Sequence, residues 1–388
     1  MMAPPWLATI AKADMLRLAK GQKPTSDTVL VVCQFSGGND GLNTVIPYAA
    51  SEYYKLRPTI GIPETDVLKL NESMGLHPGM TGIQELYKEG KVAIVQNVGY
   101  PSPNRSHFKS MDIWHSASPD GKLPYGWIGR YFDLEATQGP LNAVAGLGLS
   151  VEKPRALNAK TSSIPCFASL ADIQAMVGNQ DAERLLREIQ GPEASSGAVR
   201  TIQMANDAAL DAMTELQGKL ATFTPKQTYN NDKFGSGFKQ IAQIVVASPQ
   251  TRVIYFSAGG FDTHSKQADT QANLLKQFGD AVLAFQREIE AAGRADKVIV
   301  VTFSEFGRRS YENGSLGTDH GAAAPMLLIG KNVKGGFHGA NPDLVNLDHG
   351  DLQWKIDFRQ VYATSLDKWM GSDSSVVLGQ DFGSIDVL

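Results

Sequence analysis

Apolar, β-branched runs recur along the chain, with helical patterns between them. "DTVLVVCQF" (27–35) and "KVAIVQNVG" (91–99) predict two buried strands. "TRVIYFSAG" (251–259) and "DKVIVVTFS" (296–304) predict two more, and "PMLLIG" (325–330) a shorter one. Their apolarity is continuous rather than alternating, which predicts strands covered on both faces, as in parallel sheets. Between them, "HPGMTGIQELYKEG" (77–90), "KFGSGFKQIAQIVVAS" (233–248) and "KQADTQANLLKQFGDAVLAFQREIEAAG" (266–293) carry apolar residues at helical spacing. Strand, helix, strand in this order predicts an α/β doubly wound, mainly parallel sheet with helices on both faces.

The middle breaks the pattern. Residues 134–225 mix short apolar pieces with Gly, Pro and Ser, then run into one long predicted helix over 195–223. This stretch reads as a cap-like insertion in an α/β domain spanning 27–388, preceded by an extension over 1–26. The extension has a basic character but no uninterrupted apolar core, so it predicts no signal peptide, and the chain is read as cytoplasmic or as a trimmed exported form.

Composition narrows the partners. A chain of 388 residues, 42% hydrophobic, with a formal net charge of −4, fits a globular protein with no bulk attraction to nucleic acid or anionic membranes. No apolar run approaches the about 18 to 20 residues of a transmembrane segment. Cys33 and Cys166 sit in no CxxC arrangement, and their spacing leaves open whether they pair.

Ligands of open α/β sheets bind outside the carboxyl ends of the strands, so the segments found there decide the chemistry. After the first predicted strand comes "SGGNDGLN" with Asp40, and after the second "YPSPNRSHFKSMDIWHS" with Arg105, Ser106, His107 and His115. "GGFDTH" brings Asp262 and His264, "SEFGRR" brings Glu305, Arg308 and Arg309, and "GTDHG" brings Asp319 and His320. Singly, each reads as an ordinary turn, cap or surface charge. Five such segments on one predicted edge point instead to a metal or catalytic site, because divalent cations draw carboxylate and imidazole ligands from several strand ends. There is no phosphate loop, no dinucleotide-binding turn and no nucleophile elbow.

"FSGGNDGLNTVIPY", "NRSHFKSMDIW", "GWIGRYFD", "GGFDTH", "VTFSEFGRR" and "GTDHGAAAPMLLIG" together resemble the exported bacterial domain-of-unknown-function 1501 family, over residues 28–388. That family is similar in turn to the alkaline phosphatase and sulfatase superfamily. The resemblance implies a metal-dependent hydrolase of phosphate or sulfate esters acting on a small-molecule or glycan ester substrate. It also implies a periplasmic or cell-surface location reached by twin-arginine export.

Carried over by motif, Asp40, Asp262, His264, Glu305 and His320 become the expected metal ligands. Zinc, manganese, magnesium or calcium would serve as the divalent metal ion. Ser106 becomes the nucleophile, Arg105, Arg308 or Lys109 the holders of the transferred group, and His107 or His115 the proton donor. Two departures favour one metal over two: the spacing is D-x-H rather than D-x-x-x-H, and Phe306 stands where a histidine ligand is expected. A hydrolase of another ester or polysaccharide substituent, and a non-catalytic exported protein retaining the fold, are the alternatives.

Overall fold

The computed structural model describes residues 27–170 and 223–388, together with positions 200, 203, 207, 210, 212, 216 and 220. The expected extension over 1–26 and most of the predicted helix over 195–223 lie outside the described residues. In chain order the described strands are β1 (Val29–Ser36), β2 (Val45–Ile46), β3 (Leu68–Lys69), β4 (Gly75–Leu76), β5 (Val92–Gly99) and β6 (Gly146–Leu149). They continue with β7 (Cys166–Phe167), β8 (Val253–Gly259), β9 (Val298–Phe303), β10 (Ala324–Ile329), β11 (Gly336–His338) and β12 (Ile356–Asp357). Nine of them form one sheet in the order β11-β5-β10-β9-β1-β8-β6-β7, with β12 also on β5; β2, β4 and β3 form a small second sheet.

Each of the five strands expected from apolar runs is present within two residues of its expected ends. Their continuous apolarity has the anticipated cause. Along β1, Val29, Val31, Cys33 and Phe35 enter one core while Leu30 and Val32 enter the other. The helices Thr81–Lys88, Lys233–Ala247 and Gln267–Ala291 cover the first face. His107–Ser116, Trp127–Ala136 and Phe358–Thr364 cover the second. Since side chains alternate across a pleated strand, a strand buried on both faces has no polar phase. No helix among the described residues is long and apolar enough to cross a membrane.

The sheet is mainly parallel. β1 lies parallel to both β8 and β9, and β6 parallel to β8 and β7. β10 is the exception, antiparallel to β5 and β9. Its reversal brings the residues that precede it, including Asp319 and His320, to the edge where β1, β5, β8 and β9 end. Within 134–225, expected to form a cap-like insertion, β6 and β7 extend the sheet itself. Gly146 and Gly148 fit in β6 because their faces are filled by neighbours: an added Cβ would meet Phe132 at 2.5 Å and Cys166 Sγ at 2.6 Å. Cys33 is buried, Cys166 is half-buried, and both are free thiols.

Beneath the helix His107–Ser116 lies a buried polar group. His115 Nε2 stands 2.8 Å from the Tyr255 hydroxyl and 3.2 Å from Gln34 Oε1, and Tyr255 donates to the same Gln34 oxygen. Burial pushes the His115 imidazole down to about 4. An unfolded histidine titrates near 6.5, so between those values the unfolded chain takes up a proton that the folded chain refuses. Stability from this group is therefore full above about pH 6.5 and is lost as pH falls towards 4, by roughly 3 kcal/mol. Urea unfolding at pH 7 and at pH 4.5 checks this: His115→Gln should lose less stability between the two than wild type. An identical loss in both would remove His115 as the cause.

Candidate metal centre

The segments expected at one edge do meet there, but they divide into two tiers. At the front, His107, Asp262 and His320 offer one ligand atom each, all within 4.8 Å of one another. His264 joins from the rim, with its Nε2 2.8 Å from His320 Nε2 and 3.1 Å from Asp262 Oδ1. His107 Nε2 stands 3.4 Å from Asp262 Oδ2, and His320 Nε2 3.3 Å from Oδ1.

Behind each ring stands an acceptor. His320 Nδ1 lies 2.7 Å from the Arg105 carbonyl, His264 Nδ1 3.1 Å from Asp319 Oδ1, and His107 Nδ1 2.9 Å from Glu305 Oε1. Carbonyl and carboxylate oxygens only accept, so each Nδ1 carries a proton, and in the neutral form of each ring Nε2 turns a lone pair towards Asp262. Metal-binding histidines are oriented in this way. Two Nε2 lone pairs cannot face each other at 2.8 Å unsupported. A shared proton or a cation between them and the carboxylate resolves the contact, so the donor set fits a bound cation.

The electrostatics agree with the geometry. Burial alone would raise the Asp262 carboxyl, but the Arg308 guanidinium bonded to it outweighs that and holds it below the ordinary carboxylate range. The Glu305 hydrogen bond holds His107 above the ordinary imidazole value. Burial moves His320 the other way, below it.

Local backbone explains how the acid and its neighbours arrive. Gly260 leaves β8 at φ +117°, a region that side chains disfavour. Gly37, at φ +122°, packs so close that a Cβ there would meet the Asp262 nitrogen at 2.4 Å. Phe306 is buried and lays its ring against His107 and His320, with centroids 4.9 and 4.3 Å away.

Four expected roles change. Asp40 is not beside the histidines: its Oδ1 accepts from the Leu42 and Asn43 N–H groups, and its Oδ2 from Arg57 and Gln267, each at 2.5 Å. It is a buried helix cap and ion-pair partner. Glu305 is buried behind His107, its Oε1 also accepting from the Gly37 N–H at 2.8 Å. Arg308 is fully buried, and its donors go to the carbonyls of Gly37, Gly38, Phe261 and Thr318 and to Asp262. Sealed behind these partners, it presents no donor to solvent for holding a substrate. His115 lies under the helix rather than at the edge.

Ser106 is the exposed N-cap of the helix His107–Ser116, and its side chain makes no cap bond. Arg105 beside it is exposed and paired with Asp351. The sequence suggests His107 only as a proton donor, whereas its Nε2 faces Asp262 within the cluster. Asp319 and Asp351 were missed as supports, and only the pattern of a histidine beside or opposite an acid could have suggested the first.

Over residues 27–379 the sequence matches the family described as "Protein of unknown function (DUF1501)". No curated protein matches the chain. Among solved structures, the chain is similar to the PsFucS1 sulfatase from Pseudoalteromonas sp. at 11% identity and a TM-score of 0.41, covering 99% of this chain and 75% of that one. A protein in the alkaline phosphatase superfamily from Vibrio parahaemolyticus is similar at 9% identity and a TM-score of 0.39, covering 92% and 69%. The C-terminal periplasmic domain of EcEptC from Escherichia coli, in complex with Zn, is similar at 10% identity and a TM-score of 0.37, covering 79% and 73%.

The reassignment of Asp40 makes a stability prediction. Asp40→Ala leaves the Arg57 guanidinium charged and buried, which should cost about 3–5 kcal/mol. Chemical denaturation reads this directly, and an unfolding midpoint equal to wild type would show that the pair does not support the fold.

Proposed function

The chain belongs to that family, and we propose that it acts as a metal-dependent hydrolase of phosphate or sulfate esters. The observation that carries the reading is the convergence of three imidazole Nε2 atoms, each backed at Nδ1, on the Asp262 carboxylate. His107, Asp262 and His320 would hold one divalent cation, with His264 a further donor from the rim. Mixed imidazole and carboxylate donors suit zinc or manganese better than magnesium or calcium, which prefer oxygen. When bound, such a cation polarises an ester oxygen and lowers the pKa of a hydroxyl held against it.

The chain's own residues supply the rest. Ser106 offers its uncommitted hydroxyl as nucleophile, between Arg105 and His107, both of which bond into the cluster's surroundings. Unpaired N–H groups at the start of its helix favour an anion there. Arg105, unlike Arg308, has guanidinium donors to spare for the non-bridging oxygens of the ester. Glu305 keeps His107 in one tautomer and orientation. The substrate is a small-molecule or glycan ester, and the proposed workplace is the periplasm or cell surface, reached by twin-arginine export.

The decisive measurement combines metal analysis of protein purified without chelator with hydrolysis of aryl phosphate and aryl sulfate. Asp262→Asn and His320→Ala should each lower metal affinity by at least the about 10- to 100-fold typical of lost supporting contacts, and lose turnover. Ser106→Ala should keep the metal and lose turnover. A wild type that binds no divalent cation would assign the 2.8 Å contact to a shared proton and end this reading.

A further inference from the structure

Asp351 lies outside every motif that marks the site, yet it bonds Arg105, whose carbonyl backs His320. It follows a two-residue turn in which Asp348 and Asp351 exchange backbone hydrogen bonds at 2.9 and 3.0 Å. The central residues His349 and Gly350 have φ of +51° and +86°, the signature of a tight hairpin turn. The turn is fastened to the segment after β9: the Ser310 N–H donates to the Gly350 carbonyl, and Arg309 Nη1 to the His349 carbonyl.

The Asp351 side chain is 2% exposed and accepts from Arg105 Nη2 on one oxygen. Arg309 Nε stands 3.4 Å from the other oxygen, an ion pair without hydrogen-bond geometry. Arg105 itself is 43% exposed. Among the described residues its Nε and Nη1 have no partner. Its carbonyl meanwhile holds His320, and the next residue is Ser106.

We infer that Asp351 is a positioning residue, holding the Arg105 guanidinium at the mouth of the site so that its free edge receives a tetrahedral oxyanion. The inference rests on the hydrolase reading and deepens it. A loose arginine loses rotamer freedom on gripping a ligand, whereas one already fixed by a rigid, buried carboxylate gives up less. Arg309 and the turn hold that carboxylate in place. Arg105 thus serves the centre twice, by its main chain behind His320 and by its side chain in front of Ser106.

The test uses the metal-loaded full chain and two readouts, calorimetric binding of inorganic phosphate and sulfate, and the KM and kcat of aryl phosphate hydrolysis. Asp351→Asn should weaken anion binding and raise KM by up to about ten-fold, the order of the rotamer cost of fixing one long side chain, with metal content unchanged. Arg105→Gln should do the same. The double variant should be no worse than Arg105→Gln alone, because the two act as one unit. Asp351→Glu should recover part of the loss. If Asp351→Asn leaves anion affinity unchanged, or the two losses add, the inference fails. A loss of bound metal would instead assign Asp351 to supporting His320 and would equally overturn it. A wild type without turnover, whose phosphate binding still depends on both residues, would overturn the hydrolase reading and leave the clamp standing.

Discussion

The carboxyl edge of the sheet is organised around one buried charge. Arg308 is sealed from solvent, and a guanidinium in that position costs several kcal/mol unless its donors are met. They are met by backbone carbonyls from three separate segments, those after β1, after β8 and before β10, and by one oxygen of Asp262. Satisfying the charge therefore forces those three segments together. It also decides how Asp262 sits, with Oδ1 anchored by Arg308 and Oδ2 left towards His107. Close approach has its own requirement: at Gly37 even a methyl group would strike the backbone of Asp262.

A second buried arginine repeats the device on the neighbouring side. Arg57 bonds Asp40 and Asn43 at one end and the carbonyls of Arg309 and Ser310 at the other, joining the loop after β1 to the segment after β9. With both arginines satisfied inward, the loops form a floor on which the histidines stand. Each imidazole is then fixed by an acceptor behind it rather than by its neighbours in front. Such a centre is held in place before anything binds, which is the condition for catalysis by positioned groups.

Legibility from sequence stopped where chemistry became ambiguous. Buried strands announced themselves because burial on both faces removes every polar phase, and their ends mark the edge where the histidine-bearing segments meet. Within that edge, Asp40, Glu305, Arg308 and Asp262 look alike locally, each a charged residue just past or just before an apolar run. What separates them is a partner that arrives from elsewhere: Arg57 for Asp40, His107 for Glu305, four carbonyls for Arg308. None of those partners lies in the same motif. Ser102, at φ +55°, and Asn104, whose side chain accepts from the Ser106 N–H, build the approach to the helix, and Ser106 takes the cap position.

The direction of β10 and the position of Phe306 together decide which way the centre opens. Because β10 runs against its neighbours, Asp319 and His320 enter the edge from the segment leading into the strand, and His320 faces His107 across 4.4 Å between ring centroids. Phe306 fills the space against both rings, and its other side is pressed by Gly38, where a Cβ would meet the ring at 2.2 Å. An apolar wall offers no ligand atom, so that side has no donor for a cation. The floor is closed by Arg308 and the wall by Phe306. What remains open is the side carrying Ser106, the free edge of Arg105 and the exposed face of His264, the approach that the proposed hydrolase would give its substrate.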